Sequence, residues 1–113
     1  MGAYNILNSE VKCSNCQNTY QGKIQFKFGK RFQIQYKIGD KIEWGAYDKG
    51  KPGLTKVKIY GILENDLCPI CNKLNLNNEF DMVVEKDIII GLHAMENIDI
   101  YNATEDGDFV ICD

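Results

Sequence analysis

Lys23-Ile24-Gln25-Phe26-Lys27-Phe28-Gly29-Lys30-Arg31-Phe32-Gln33-Ile34-Gln35-Tyr36-Lys37-Ile38 is the stretch on which the fold turns. Apolar residues alternate with polar ones through Ile24, Phe26 and Phe28, and again through Phe32, Ile34, Tyr36 and Ile38. A period of two places every apolar side chain on one face, so these are half-buried β-strands. Register then sizes the turn. A two-residue loop at Gly29-Lys30 would set Phe26 opposite Gln33 and mix the faces. A three-residue loop sets Phe28 opposite Phe32 and Phe26 opposite Ile34, which keeps both apolar sets on one side. The same test at Gly39-Asp40-Lys41 places Ile38 opposite Ile42 and Tyr36 opposite Trp44. Residues 23–45 therefore read as a three-stranded antiparallel meander.

Working outward, a loop rich in Gly and Lys, Asp48-Lys49-Gly50-Lys51-Pro52-Gly53, precedes a fourth strand over Lys56–Leu63. Beyond it, Phe80–Glu85, Ile88–Ala94, Asn97–Tyr101 and Phe109–Cys112 are short β-prone runs broken by Asn, Asp and Gly. Ile88–Met95 reads equally as one buried helical stretch, because a short apolar run does not separate the two states. The expected fold is mainly β, with room for one short helix in the C-terminal half. Its 113 residues and 12.9 kDa suit a single domain spanning 1–113.

Flanking the meander are two cysteine pairs, Cys13-Ser14-Asn15-Cys16 and Cys68-Pro69-Ile70-Cys71. One C-x-x-C is ambiguous, but two in a small chain form a tetrathiolate zinc set. Two intervening residues let the backbone curl so that both sulfurs reach one ion, and the turn aims N–H groups at the thiolates. Cys68-Pro69-Ile70-Cys71-Asn72 resembles the knuckle of the zinc-ribbon and rubredoxin-like families, whose usual form is C-P-x-C-G. Asn72 stands in the Gly position, where Asn is the next-best residue for a left-handed backbone. The first pair departs further, with Ser14 in the Pro position and Gln17 in the Gly position. The 51 residues between Cys16 and Cys68 also exceed the spacing of a simple ribbon. The resemblance implies one structural Zn2+ held by Cys13, Cys16, Cys68 and Cys71, with the antiparallel meander inserted between two zinc knuckles, and no particular activity.

Other readings of these cysteines are iron in electron transfer, a thiol–disulfide couple, and a structural disulfide. A redox C-x-x-C sits at a helix N-terminus, and Cys16 leads instead into Gln-Asn-Thr-Tyr-Gln-Gly. The fifth cysteine, Cys112, reads as a small buried residue in a final strand. His93, the only histidine, reads as a satisfied structural residue in an apolar run.

The net charge of −3 conceals a division. Residues 1–63 hold 11 Lys and Arg against 4 Asp and Glu, a balance of +7; residues 64–113 hold 2 against 12, a balance of −10. The meander register gathers Lys23, Lys27 and Lys37 with Gln25, Gln33 and Gln35 on one face, and Lys56, Lys58 and Tyr60 alongside. Such a face is the alternative reading, a nucleic-acid surface. The aromatics Phe26, Phe28, Phe32, Tyr36 and Trp44 fall on the other face, and the sequence pI near 5.1 is far below that of a dedicated nucleic-acid binder. Asp81, Glu85, Asp87, Glu96, Asp99, Glu105, Asp106 and Asp108 could instead form an acidic surface for a basic protein.

No phosphate-binding glycine loop, H-E-x-x-H, G-x-S-x-G or zinc-deaminase pattern occurs. No apolar run approaches the ~20 residues of a membrane span, and Met1–Ile6 lacks the start of a secretory signal. The expectation is a cytoplasmic, non-enzymatic protein-interaction module, with its oligomeric state open.

Overall fold

The computed structural model describes residues 4–30, 33–45, 50–76, 78–95, 98–103 and 107–112. Along the chain run β1 (Asn5–Lys12), β2 (Thr19–Phe26), β3 (Gln35–Lys37), β4 (Val57–Leu63), β5 (Glu79–Glu85), β6 (Ile88–Ala94), α1 (Asp99–Asn102) and β7 (Phe109–Ile111). The mainly β class forms as expected, with one short helix in the C-terminal half among the described residues. That helix replaces the strand expected over Asn97–Tyr101, while Ile88–Ala94 is strand rather than helix.

One mixed sheet takes all the strands in the order β3-β1-β2-β4-β5-β6, with β7 pairing β4. The antiparallel pairing expected between the second and third strands does not form. Instead β1 lies between them, antiparallel to β2 (Leu7 beside Ile24) and parallel to β3 (Leu7 beside Tyr36). Arg31 and Phe32 of the expected turn lie outside the described residues. Buried Asn5 organises the crossing: its Nδ2 donates to the carbonyls of Phe28 at 3.1 Å and Lys30 at 2.9 Å, and its Oδ1 accepts from Ile34 N at 3.1 Å. The next expected turn also differs. Asp40 N bonds Lys37 O at 3.0 Å, closing a turn over 37–40, and Gly39 and Ile42 then donate to Ile89 O and Asp87 O, both at 2.7 Å. Ile89 N returns a bond to Asp40 O at 2.9 Å. These bonds tie the segment after β3 to the start of β6, so the sheet curls until its two edges nearly meet.

Curling buries one face. Leu7, Val11, Tyr20, Ile24, Phe26, Tyr36, Val57, Ile59, Leu63, Phe80, Met82, Val84 and Ile89 form a continuous core. Alternation along β2 and β4 follows the expected parity, with Ile24 and Phe26 inward and Lys23 and Gln25 outward. Close packing fixes one glycine: a Cβ on Gly61 would lie 2.5 Å from Ile24 Cγ2, so that strand pair admits no side chain there. On the outer face, α1 lays Tyr101 against Tyr60, ring centroids 5.3 Å apart, and its hydroxyl donates to Asp81 Oδ1 at 2.5 Å.

Candidate metal centre

Each cysteine pair is the loop of a tight hairpin. Lys12 pairs Thr19 around the first, and Leu67 pairs Leu74 around the second. The two loops share one hydrogen-bond pattern. Cys13 N donates to Asn18 O at 2.9 Å and Gln17 N to Cys13 O at 3.1 Å; Cys68 N donates to Lys73 O at 3.0 Å and Asn72 N to Cys68 O at 2.9 Å. Gln17 and Asn72 both take left-handed backbone, φ 64° and 59°. Asn is tolerated in that region; Gln there carries a steric cost that the rest of the hairpin must offset. Inside each loop an amide points at sulfur, Asn15 N to Cys13 Sγ at 3.3 Å and Ile70 N to Cys68 Sγ at 3.4 Å.

The sheet brings the loops together because β2, which leaves the first loop, lies between β1 and β4, and β4 runs on to the second. All four Sγ atoms lie within 4.8 Å of one another. Across the loops, Cys13 and Cys71 are 3.7 Å apart and Cys16 and Cys68 3.8 Å. Four sulfurs at ~2.3 Å from a central ion in a regular tetrahedron have edges of ~3.8 Å, so the set fits a tetrathiolate metal site. Cys13 and Cys68 are fully buried, whereas Cys16 and Cys71 stay partly open.

Charge on these sulfurs is unevenly distributed. The Cys16 amide, which outweighs the opposing cost of burial, lowers the Cys13 thiol to about 6. At Cys71 the Lys73 amide works in the same direction, but burial and the neighbouring sulfurs of Cys13, Cys68 and Cys16 prevail and push the thiol up to about 11. One thiolate thus forms readily and resists the formation of others beside it. A divalent cation removes that conflict.

Residues outside the C-x-x-C pattern hold the loops in place. Asn75, buried, accepts from Ser14 N at 3.0 Å and donates to Lys12 O at 3.1 Å. Ser14 Oγ accepts from Leu76 N at 2.9 Å, and Asn15 Nδ2 donates to Leu74 O at 2.7 Å. The exit of the second loop is thereby clamped onto the first. Asparagines in a polar coil give no sequence signal of this.

Other expected site residues are distributed differently. Lys23 and Lys37 do share the outer face, but they are not opposite one another: Asn8 of β1 is paired with both, which separates the like charges. Lys58 has the same parity on β4, Lys27 follows the end of β2 and Lys56 precedes β4, so the five lysines are spread along one face rather than focused. Among the described residues, the acidic set does not lie wholly on the surface. Asp81 is 1% exposed and bonded by Tyr101, and Asp87 accepts from Gly53 N at 3.1 Å. Glu96, Glu105 and Asp106 lie outside the described residues. Cys112 is half-buried just past β7 and stands apart from the cysteine cluster. His93 is exposed on β6 beside Asp81 rather than enclosed in the core.

No protein-family model, no curated protein and no solved structure matches this chain. Among the described residues, no helix is long and apolar enough to cross a membrane.

Proposed function

We propose that this chain is a non-enzymatic interaction module whose two cysteine hairpins, zinc-ribbon-like knuckles, are stapled by one structural zinc ion. The observation that carries this reading is the convergence of four sulfurs within 4.8 Å of one another, with cross-loop separations of 3.7 and 3.8 Å. Four thiolates favour zinc among common divalent ions, and a fourth protein ligand leaves no open position for substrate. Bound zinc would supply charge neutralisation and closure of the loop between the hairpins. Zinc-bound thiolates, in place of disulfides, suit a reducing compartment, which supports a cytoplasmic location.

A protein partner is favoured by what surrounds the second hairpin. Leu67, Ile70, Leu74 and Leu76 are 55%, 53%, 59% and 78% exposed. Large apolar side chains gathered around one loop mark an interaction surface more than scattered ones do. X-ray absorption at the zinc edge of the metal-loaded protein tests the staple. Four sulfur neighbours at ~2.3 Å are expected; nitrogen or oxygen in the shell would overturn the tetrathiolate.

A further inference from the structure

The outer face of the sheet carries a feature that its sequence concealed. Two adjoining clefts, of about 180 and 200 Å3, open there and share Tyr4 as a common wall. Gln25, Lys27, Tyr60 and Ile62 line the first; Ile6, Lys23, Gln33 and Gln35 line the second. Tyr60 is fixed in place, since its hydroxyl donates to Glu79 and its ring meets Tyr101 edge to face. Aromatic side chains therefore stand on the same face as Lys23, Lys27, Lys37 and Lys58, although the core aromatics Phe26 and Tyr36 point the other way.

Size and charge select the occupant. A cavity of ~150 Å3 accommodates one benzene-sized ring, so each cleft admits a single planar ring. Lys23 and Lys27 line the clefts, and Lys37 lies on the same face, across Asn8 from Lys23. Glu64 and Asp108 also contribute to the lining, so charge alone does not hold a polyanion here and ring contacts must add to it. A ligand with planar rings at short intervals on an anionic backbone meets both demands. We propose that this face binds single-stranded nucleic acid, with one base in each cleft on either side of Tyr4 and the phosphates along Lys23 and Lys27. The proposal stands independently of which ion the cysteines hold.

Fluorescence anisotropy of a labelled deoxythymidine decamer with the metal-loaded full chain tests it, beside a DNA duplex and a labelled polyglutamate peptide. Binding of the decamer is expected to exceed that of both controls and to weaken as salt rises. Stacking on one base corresponds to ~1–3 kcal/mol, so Tyr4→Ala is expected to weaken binding by about 5-fold to 150-fold. Lys23→Glu with Lys27→Glu is expected to weaken it and flatten the salt slope by ~0.7 per lost phosphate contact. The lysines are surface positions, so that variant keeps the test valid even where Tyr4→Ala lowers stability. No binding of the decamer at low salt, equal binding of duplex or polyglutamate, or a folded lysine variant that binds like the parent would each overturn the proposal.

Discussion

Two buried polar clusters in this fold meet the same difficulty by different means. At the cysteine hairpins, four thiols converge and the Cys71 group is pushed up to about 11, partly by the other sulfurs. Beneath α1, the Asp81 carboxylate accepts from the Tyr101 hydroxyl at 2.5 Å, and the Tyr60 ring meets Tyr101 edge to face. The second cluster is complete within the chain: a hydroxyl donor meets a carboxyl acceptor. The first gathers several groups of one kind, and only an added cation reconciles them. A fold can therefore contain one polar cluster that is self-sufficient and another that makes its stability conditional on metal supply.

Removing a ligand should separate the two most sharply. Cys68→Ser, or a strong chelator, is expected to release the ion and abolish most of the cooperative thermal transition, because structural zinc in small domains contributes on the order of 10 kcal/mol to folding. Calorimetry with and without chelator checks this, and an unchanged melting curve would remove the metal from the stability account. Asn75→Ala should be milder. It deletes side-chain bonds to both Ser14 N and Lys12 O, so a loss of about 2–3 kcal/mol is expected in denaturant titration, with weakened metal affinity although no ligand is changed.

Tyr101→Phe probes the other cluster. It leaves Asp81 buried without that donor, for about 1–3 kcal/mol, while zinc stoichiometry stays as in the parent. The same pair sets a pH dependence. Burial, reinforced by the hydrogen bond to Asp81, raises the Tyr101 hydroxyl well above its ordinary value near 10, and burial with Glu79 pushes Tyr60 up to about 12. Below pH ~10 both phenols are neutral in folded and unfolded chains, so their contribution is fully present. Above it the unfolded chain releases its protons first, binds fewer than the folded chain, and stability falls as pH rises towards the folded values. Melts between pH 9 and 11 should show this decline, and a shallower one in Tyr101→Phe. Parallel slopes would mean that another group governs it. The smallest effect belongs to the exposed rim of the metal hairpin: Ile70→Ser and Leu76→Ser should change stability by no more than ~0.5 kcal/mol and leave the zinc in place. Loss of a partner in a pull-down by these variants alone would locate the interface at this loop.

How much of this was legible in the sequence varies with the range of the contact. The cysteine set was readable because each loop is local: four residues dictate the curl, and Gln17 and Asn72 mark the left-handed exits. Facing was readable too, since Ile24, Phe26 and Tyr36 point inward whichever strand lies between them. The partner strand was not. Within β1, inward positions fall to Asn5 and Ser9 as well as Leu7 and Val11, and Ser9 pairs with Gly22, where the Val11 and Leu63 side chains leave no room for a Cβ. That breaks the alternation that marks a strand. The Asn75 clamp and the Tyr101–Asp81 bond span 61 and 20 residues, and no short-range pattern encodes them. Tyr4 acquired meaning only when the pairing of β1 with β2 set it against the face that Tyr60 already shared with the lysines.

The most direct test of the account is native mass spectrometry of the protein purified without chelator or added metal. One zinc ion per chain, lost together with the native charge-state distribution on acidification, is the predicted result. A metal-free mass, short by the hydrogens of one or two disulfides, would contradict it and make the cysteine hairpins a redox device instead.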